Sequence, residues 1–184
     1  MKKIIAFTLF LSCIFSAFSQ VSVFTKFSET GKVTPCVTIF GTKPIVDKVN
    51  LTYFSLVQEG WAEAQLGLAY SPTTWSNVGL SCGFEQLNGI SFRTGCSLWI
   101  GKDKTSFLFL GEKGQGADNY WYKTSLMQNL SKNFNLGVRA WRFTGIGPLV
   151  EYKTGKLISK IWAMPAYNFE ASAANLVIGF DIKM

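Results

Sequence analysis

Beyond about residue 20, apolar and polar side chains alternate along the chain with period two, and no stretch sustains the period of a helix. Val78, Leu80, Cys82 and Phe84 share one face of a segment whose other face carries Asn77, Gly79, Ser81, Gly83 and Glu85. The last residues repeat the pattern: Leu176, Ile178, Phe180, Ile182 and Met184 oppose Asn175, Gly179, Asp181 and Lys183, with Val177 out of step. Ala62 to Tyr70 and Ile90 to Ile100 read the same way, the second interrupted at Thr94 and Trp99. Turn-forming residues cluster between these runs, at 28–32, 42–48, 58–60, 71–76, 87–89, 101–104, 112–119, 131–133, 144–148, 154–156 and 168–174. Eleven connections predict twelve short strands. The first (about 21–27) and the seventh (about 105–111) carry the weakest pattern. In the seventh, Phe107 and Phe109 oppose Leu108 and Leu110, so neither face is polar. Without those two the count falls to ten.

One hairpin lets register be derived. A two-residue turn at Asn88-Gly89 would set Phe84 opposite Arg93 and mix the two faces. A three-residue loop, Leu87-Asn88-Gly89, pairs Phe84 with Phe92 and Leu80 with Cys96 and keeps both faces uniform. Cys82 and Cys96 then become diagonal neighbours about 7–8 Å apart. A disulfide needs Cβ atoms about 3.8 Å apart, so free thiols are expected. Cys36, in an apolar setting, reads as a small filler. On the polar face the same register brings Glu85 and Arg93 within ion-pair reach.

Two architectures produce strands with one apolar and one polar face. A soluble sandwich or lipocalin-like barrel turns the apolar face inward; a transmembrane barrel turns it outward into lipid. Strands of about 9–11 residues match what a tilted strand needs to cross a bilayer. Trp61, Tyr70, Trp75, Tyr120, Trp141, Tyr152, Trp162 and Tyr167 stand toward strand ends, where an interface belt would hold them. With both termini on the periplasmic side, the long connections 112–119 and 168–174 face outward and short turns such as 131–133 and 154–156 face inward, although 42–48 is long for its side. The expected fold is therefore all-β: an antiparallel, up-and-down transmembrane β-barrel of about twelve strands, occupying residues 20–184.

The first nineteen residues read as an export signal. Lys2 and Lys3 precede an apolar run from Ile4 to Phe15, and Ala17-Phe18-Ser19 supplies the small residues of a cleavage site before Gln20. The run is too short to span hydrocarbon, which takes about 20 residues. Cys13 lies inside it and offers a lipidation alternative. Without Lys2 and Lys3 the chain carries 16 basic and 11 acidic residues, a net of +5. These charges are scattered, without the dense cluster that phosphate backbones require, so nucleic acid is not an expected partner and a lipid or glycolipid surface is. Histidine is absent altogether. That removes Ser-His-Asp and Cys-His nucleophiles, His-based zinc sites and histidine acid–base catalysis, so neither a catalytic residue nor a metal nor a cofactor is expected.

Gly179, Ile182 and Met184 close the chain as the end of a strand, spaced as glycine, apolar and terminal apolar. This resembles the C-terminal assembly signal of Gram-negative outer-membrane β-barrel proteins, with Val177 where a polar residue is usual and Met184 where Phe is usual. The resemblance implies recognition by the barrel-assembly machinery and an outer-membrane location, and it points to no particular member. By strand parity the lumen receives Glu63, Glu85, Arg93, Lys123, Arg139, Glu151, Lys153, Asp181 and Lys183. Such mixed charges either pair and close a small barrel or line a porin-like constriction for a solute. Gly111 to Gly116 lacks the Lys-Ser/Thr of a phosphate loop and reads as an outer loop, with Lys113, Gln115, Asp118 and Asn119 as an exposed recognition surface. The reading is a non-enzymatic outer-membrane barrel, structural or weakly pore-forming. The alternative is a soluble periplasmic barrel holding an apolar ligand inside.

Overall fold

A computed structural model describes residues 18–87, 89–155 and 157–184. The expected export signal lies outside the described residues except for Phe18 and Ser19, which open the first strand. Twelve strands follow one another: β1 (Phe18–Ser28), β2 (Val33–Val46), β3 (Val49–Gln58), β4 (Trp61–Thr73), β5 (Ser76–Gln86), β6 (Ile90–Lys102), β7 (Thr105–Lys113), β8 (Tyr120–Asn129), β9 (Phe134–Trp141), β10 (Gly145–Lys153), β11 (Ile158–Asn168) and β12 (Ala173–Lys183). Each pairs antiparallel with its sequence neighbours, and β12 returns to β1 from Gln20↔Lys183 to Ser28↔Asn175, closing the barrel. Closure leaves no strand edge with unpaired backbone groups, which is what a hydrocarbon surround demands.

The apolar face looks outward. Leu80 is 72 % exposed and Phe84 60 %, and Leu66, Leu68, Val78, Phe92, Leu126, Val138, Ile161 and Ile178 are exposed with them. The charged residues of the opposite face, including Glu63, Glu85, Arg93, Arg139, Glu151 and Asp181, are buried within. This removes the alternative of a soluble barrel, whose outside would have to be the polar face. An outer surface of Leu, Val, Ile and Phe over a polar interior belongs in lipid.

The β5–β6 register is the one that keeps both faces uniform, with Phe84↔Phe92 and Leu80↔Cys96. The Phe84 and Phe92 rings meet edge-on at 6.1 Å on the outer surface. Cys36, Cys82 and Cys96 are free thiols. Several boundaries differ from the sequence reading. The 42–48 connection shrinks to a turn at Asp47-Lys48, because β2 runs through Pro44 to Val46 with a register shift there. A proline is tolerated where the ladder is already irregular. The 144–148 turn instead falls at 142–144, and Pro148 enters β10. The β10–β11 ladder pairs Ile146 with Tyr167 and resumes only at Val150 with Ala163. In that register Pro148 faces Pro165, and neither has an N–H to give.

Candidate functional site

The inner surface is not uniform around its circumference. Strands β4–β6 present Gly67, Gly79, Ser81, Gly83, Gly95 and Ser97 inward, side chains that occupy almost no volume. Strands β8–β12 present Trp121, Trp141, Leu149, Trp162, Met164 and Val177, which join Phe24, Cys36 and Leu56 from β1–β3 in one buried apolar cluster. Phe24 meets Trp141 at 5.2 Å and Trp162 at 5.7 Å, and Trp121 meets Trp141 edge-on at 6.2 Å. The position of Val177 out of step with its strand is thereby explained: its inward neighbours are apolar. Gly179 has a packing role in the same wall, since a Cβ there would fall 2.6 Å from both the Trp162 ring and the Cβ of Phe24.

Trp61, Trp141 and Trp162 are therefore not interface aromatics. Trp141 and Trp162 are buried inside, and Trp61 packs against the inner cluster. Tyr70, Trp75, Tyr120, Tyr152 and Tyr167 are exposed, as a belt requires. The sequence did carry the distinction. Trp61, Trp121, Trp141 and Trp162 each lie two residues from a charged one (Glu63, Lys123, Arg139 and Lys160), and residues two apart on a strand share a face.

Two ionic clusters flank the aromatic layer. In the first, Arg93 (1 % exposed) contacts three carboxylates. Its Nη1 lies 2.7 Å from Glu85 Oε2, and its Nε lies 2.8 Å from Glu112 Oε2 and 3.1 Å from Glu63 Oε2. The guanidinium plane also rests 5.2 Å from the centre of the Trp61 ring. Glu112 was expected in an outer loop; it belongs to β7 instead. Its strand hid it, because Leu108 and Leu110 on the same inward face are apolar and erase the alternation.

Lys113 at the end of β7 and Gln115 and Asp118 in the loop after it are exposed as expected, but the loop is tied to the barrel and Asn119 leaves the surface. Asn119 turns into the barrel mouth, where its Oδ1 accepts from Arg93 Nη1 at 2.9 Å and its Nδ2 donates to Glu85 Oε1. Arg142 fastens the same loop by donating to the carbonyls of Asp118 and Tyr120. Lys113 folds back onto the carbonyls of Gly116 and Ala117.

In the second cluster Lys160 Nζ lies 2.9 Å from Glu151 Oε1 and 3.2 Å from Asp181 Oδ2. Asp181 also accepts from Gln20 Nε2 at 2.7 Å, from Trp162 Nε1 at 3.2 Å and from Ser22 Oγ. Arg139 donates to Ser125 Oγ at 2.8 Å and stacks 5.4 Å from the Trp162 ring. Lys153, nearer the end that holds the termini, donates to Asn129 Oδ1 at 3.1 Å. Lys123 stands between the clusters over Trp121 and Trp141. Lys183 is exposed at the end of β12. The result is a transverse asymmetry: three carboxylates around one arginine on β4–β7, and Lys123, Arg139 and Lys160 with two carboxylates on β8–β12.

A cavity opens at each end of the lumen. One of about 590 Å³ opens toward the end away from the termini, beneath the 114–119 loop. The other, about 550 Å³, opens toward the end that holds the termini. Phe24, Leu56, Trp121 and Trp141 line both, so these four side chains form the partition between them. Among the described residues no group of carboxylates and cysteines is placed to hold a metal ion.

No family model matches the chain, and no curated protein matches it in sequence. Solved structures do match in shape. The KdgM porin aligns at a TM-score of 0.62 with 8 % identity, covering 90 % of this chain and 99 % of its own. The NanC porin aligns at 0.60 with 9 % identity, covering 89 % and 100 %. The Acinetobacter baumannii outer membrane protein Omp33 aligns at 0.57 with 9 % identity, covering 91 % and 98 %. The chain has the fold of these porins.

Proposed function

We propose that this chain is a non-enzymatic outer-membrane barrel that passes small solutes through a constricted lumen. The observation that carries the reading is the pair of cavities meeting at one thin layer, Phe24, Leu56, Trp121 and Trp141, beside the Arg93 carboxylate cluster. A barrel built only as a scaffold has no need of a cavity at each mouth. The KdgM porin has been solved in complex with a disordered oligogalacturonate, which supports a solute as the partner of a barrel of this fold. Glu63, Glu85, Arg93, Lys123, Arg139, Glu151 and Asp181 are the lining groups assigned to selection, with Glu112 and Asn119 added.

In this reading the termini face the periplasm, consistent with the two-residue turns at 47–48, 74–75 and 103–104 at that end. Exposed Lys43, Lys48, Lys102, Lys104 and Lys132 ring the same end and suit anionic headgroups. Residues 1–19 serve as the signal peptide, and Gly179, Ile182 and Met184 as the signal read by the assembly machinery. Cleavage before Gln20 spares the Gln20–Asp181 bond. Three measurements test the proposal. The folded protein should resist carbonate extraction, shift on a gel with heating, and give discrete conductance steps in planar bilayers. A folded, membrane-inserted and electrically silent barrel overturns the channel.

A further inference from the structure

We propose that the 550 Å³ cavity at the terminal end is a binding site for a small amphipathic carboxylate, anchored on the Lys123 ammonium; the inference deepens the channel reading and rests on it. Every carboxylate around the lumen centre already has a cation. Glu63, Glu85 and Glu112 hold Arg93, and Glu151 and Asp181 hold Lys160. Lys123 is left over. Among the described residues no ion pair or hydrogen bond reaches it, and its ammonium instead lies 5.3 Å from the Trp141 ring centre and 5.8 Å from that of Trp121. Cation–π contact holds the charge in place but fills none of its three N–H donors.

A second donor, enclosed in the wall of the same cavity, is also unfilled. Gln65 is buried, its Oε1 accepts from Ser81 Oγ at 2.6 Å, and its Nε2 has no acceptor. Unfilled donors without a matching acceptor describe a site for an anion. The remaining walls say what the anion carries. Phe40, Phe54, Trp99, Leu108 and Leu110 join Trp121 and Trp141 as apolar lining, and Thr38, Thr52, Ser81 and Ser97 add small hydroxylated side chains among them. Glu112 also lines the cavity, but its carboxylate is held by Arg93 at 2.8 Å. A ring-sized apolar body with one carboxylate matches this lining, and the volume suits a small ligand.

The test is calorimetric titration of the folded full-length barrel in detergent with sodium benzoate, benzyl alcohol and sodium sulfate. Saturable benzoate binding is expected, with benzyl alcohol and sulfate each at least about tenfold weaker, because each lacks one of the two features the cavity recognises. Lys123→Met should weaken benzoate about tenfold or more, and Lys123→Arg should retain most of it. Equal binding of benzoate and benzyl alcohol by the unaltered protein, or unchanged benzoate affinity in a folded Lys123→Met barrel, overturns the site. Bilayer conductance is read separately. A silent barrel that binds benzoate defeats the channel and keeps the site; a conducting barrel that ignores benzoate does the reverse.

Discussion

The inner wall of β4–β6 and that of β8–β12 are built from the same strand geometry and carry opposite contents. On the first, glycine and serine alternate with an outward row of Leu66, Leu68, Leu80 and Phe84, and Gly79, Ser81, Gly95 and Ser97 border the cavity at the terminal end. On the second, tryptophan, leucine, methionine and valine fill the interior with one buried apolar cluster. The outer surfaces of the two halves are alike, since both meet lipid. The comparison teaches that lumen width in a barrel of fixed strand number is decided by the volume of inward side chains. It also places the charges. Arg93 on the small-residue wall meets three carboxylates besides the Trp61 ring, whereas Lys123 and Arg139 lie against tryptophan faces with no carboxylate among the described residues in ion-pair contact.

Breaking the ionic cluster on the open wall should have the largest effect. Arg93→Ala leaves Glu63, Glu85 and Glu112 without their cation and should cost about 3–5 kcal/mol. Surviving folded protein should show a reversal potential shifted toward cations in a salt gradient. Trp141→Ala attacks the filled wall and should cost about 3 kcal/mol by denaturant titration. It also removes one of four side chains separating the cavities, so single-channel conductance should rise; unchanged conductance would detach the aromatic layer from the constriction. Leu80→Arg, at the middle of β5 and facing out, should destabilise the barrel by about 2–4 kcal/mol in lipid. A negligible cost would mean that this face does not meet hydrocarbon. Ser97→Leu should make the open wall resemble the filled one, changing stability by less than about 1 kcal/mol while lowering conductance. Loss of that difference would sever the link between wall volume and flow.

Much of the fold was legible in the residues. Period-two alternation gave the strands, and the mixing of faces at Phe84 and Arg93 excluded the two-residue turn, leaving the register in which Glu85 and Arg93 meet. Prolines misled the reading at three places, Pro44, Pro72 and Pro148, because each sits within a strand where the ladder is interrupted and tolerates a missing N–H. The site was legible only as a set of inward positions. Glu112 was hidden by the apolar inward face of β7, Lys160 was overlooked, Asn119 was assigned to an outer surface, and three tryptophans were sent to the membrane surface by their position near strand ends.

The two-faced strands, their approximate number and the register of one hairpin were legible in the sequence alone, because each depends on residues within a few positions of one another along the chain. Which inward groups meet was settled only by closure. Arg93 reaches Glu63 and Glu112 from strands on either side, Asp181 is shared by β1, β11 and β12, and Trp141 meets Phe24 across the interior. Parity tells a side chain to point inward; only the curvature and stagger of the closed sheet decide what it finds there.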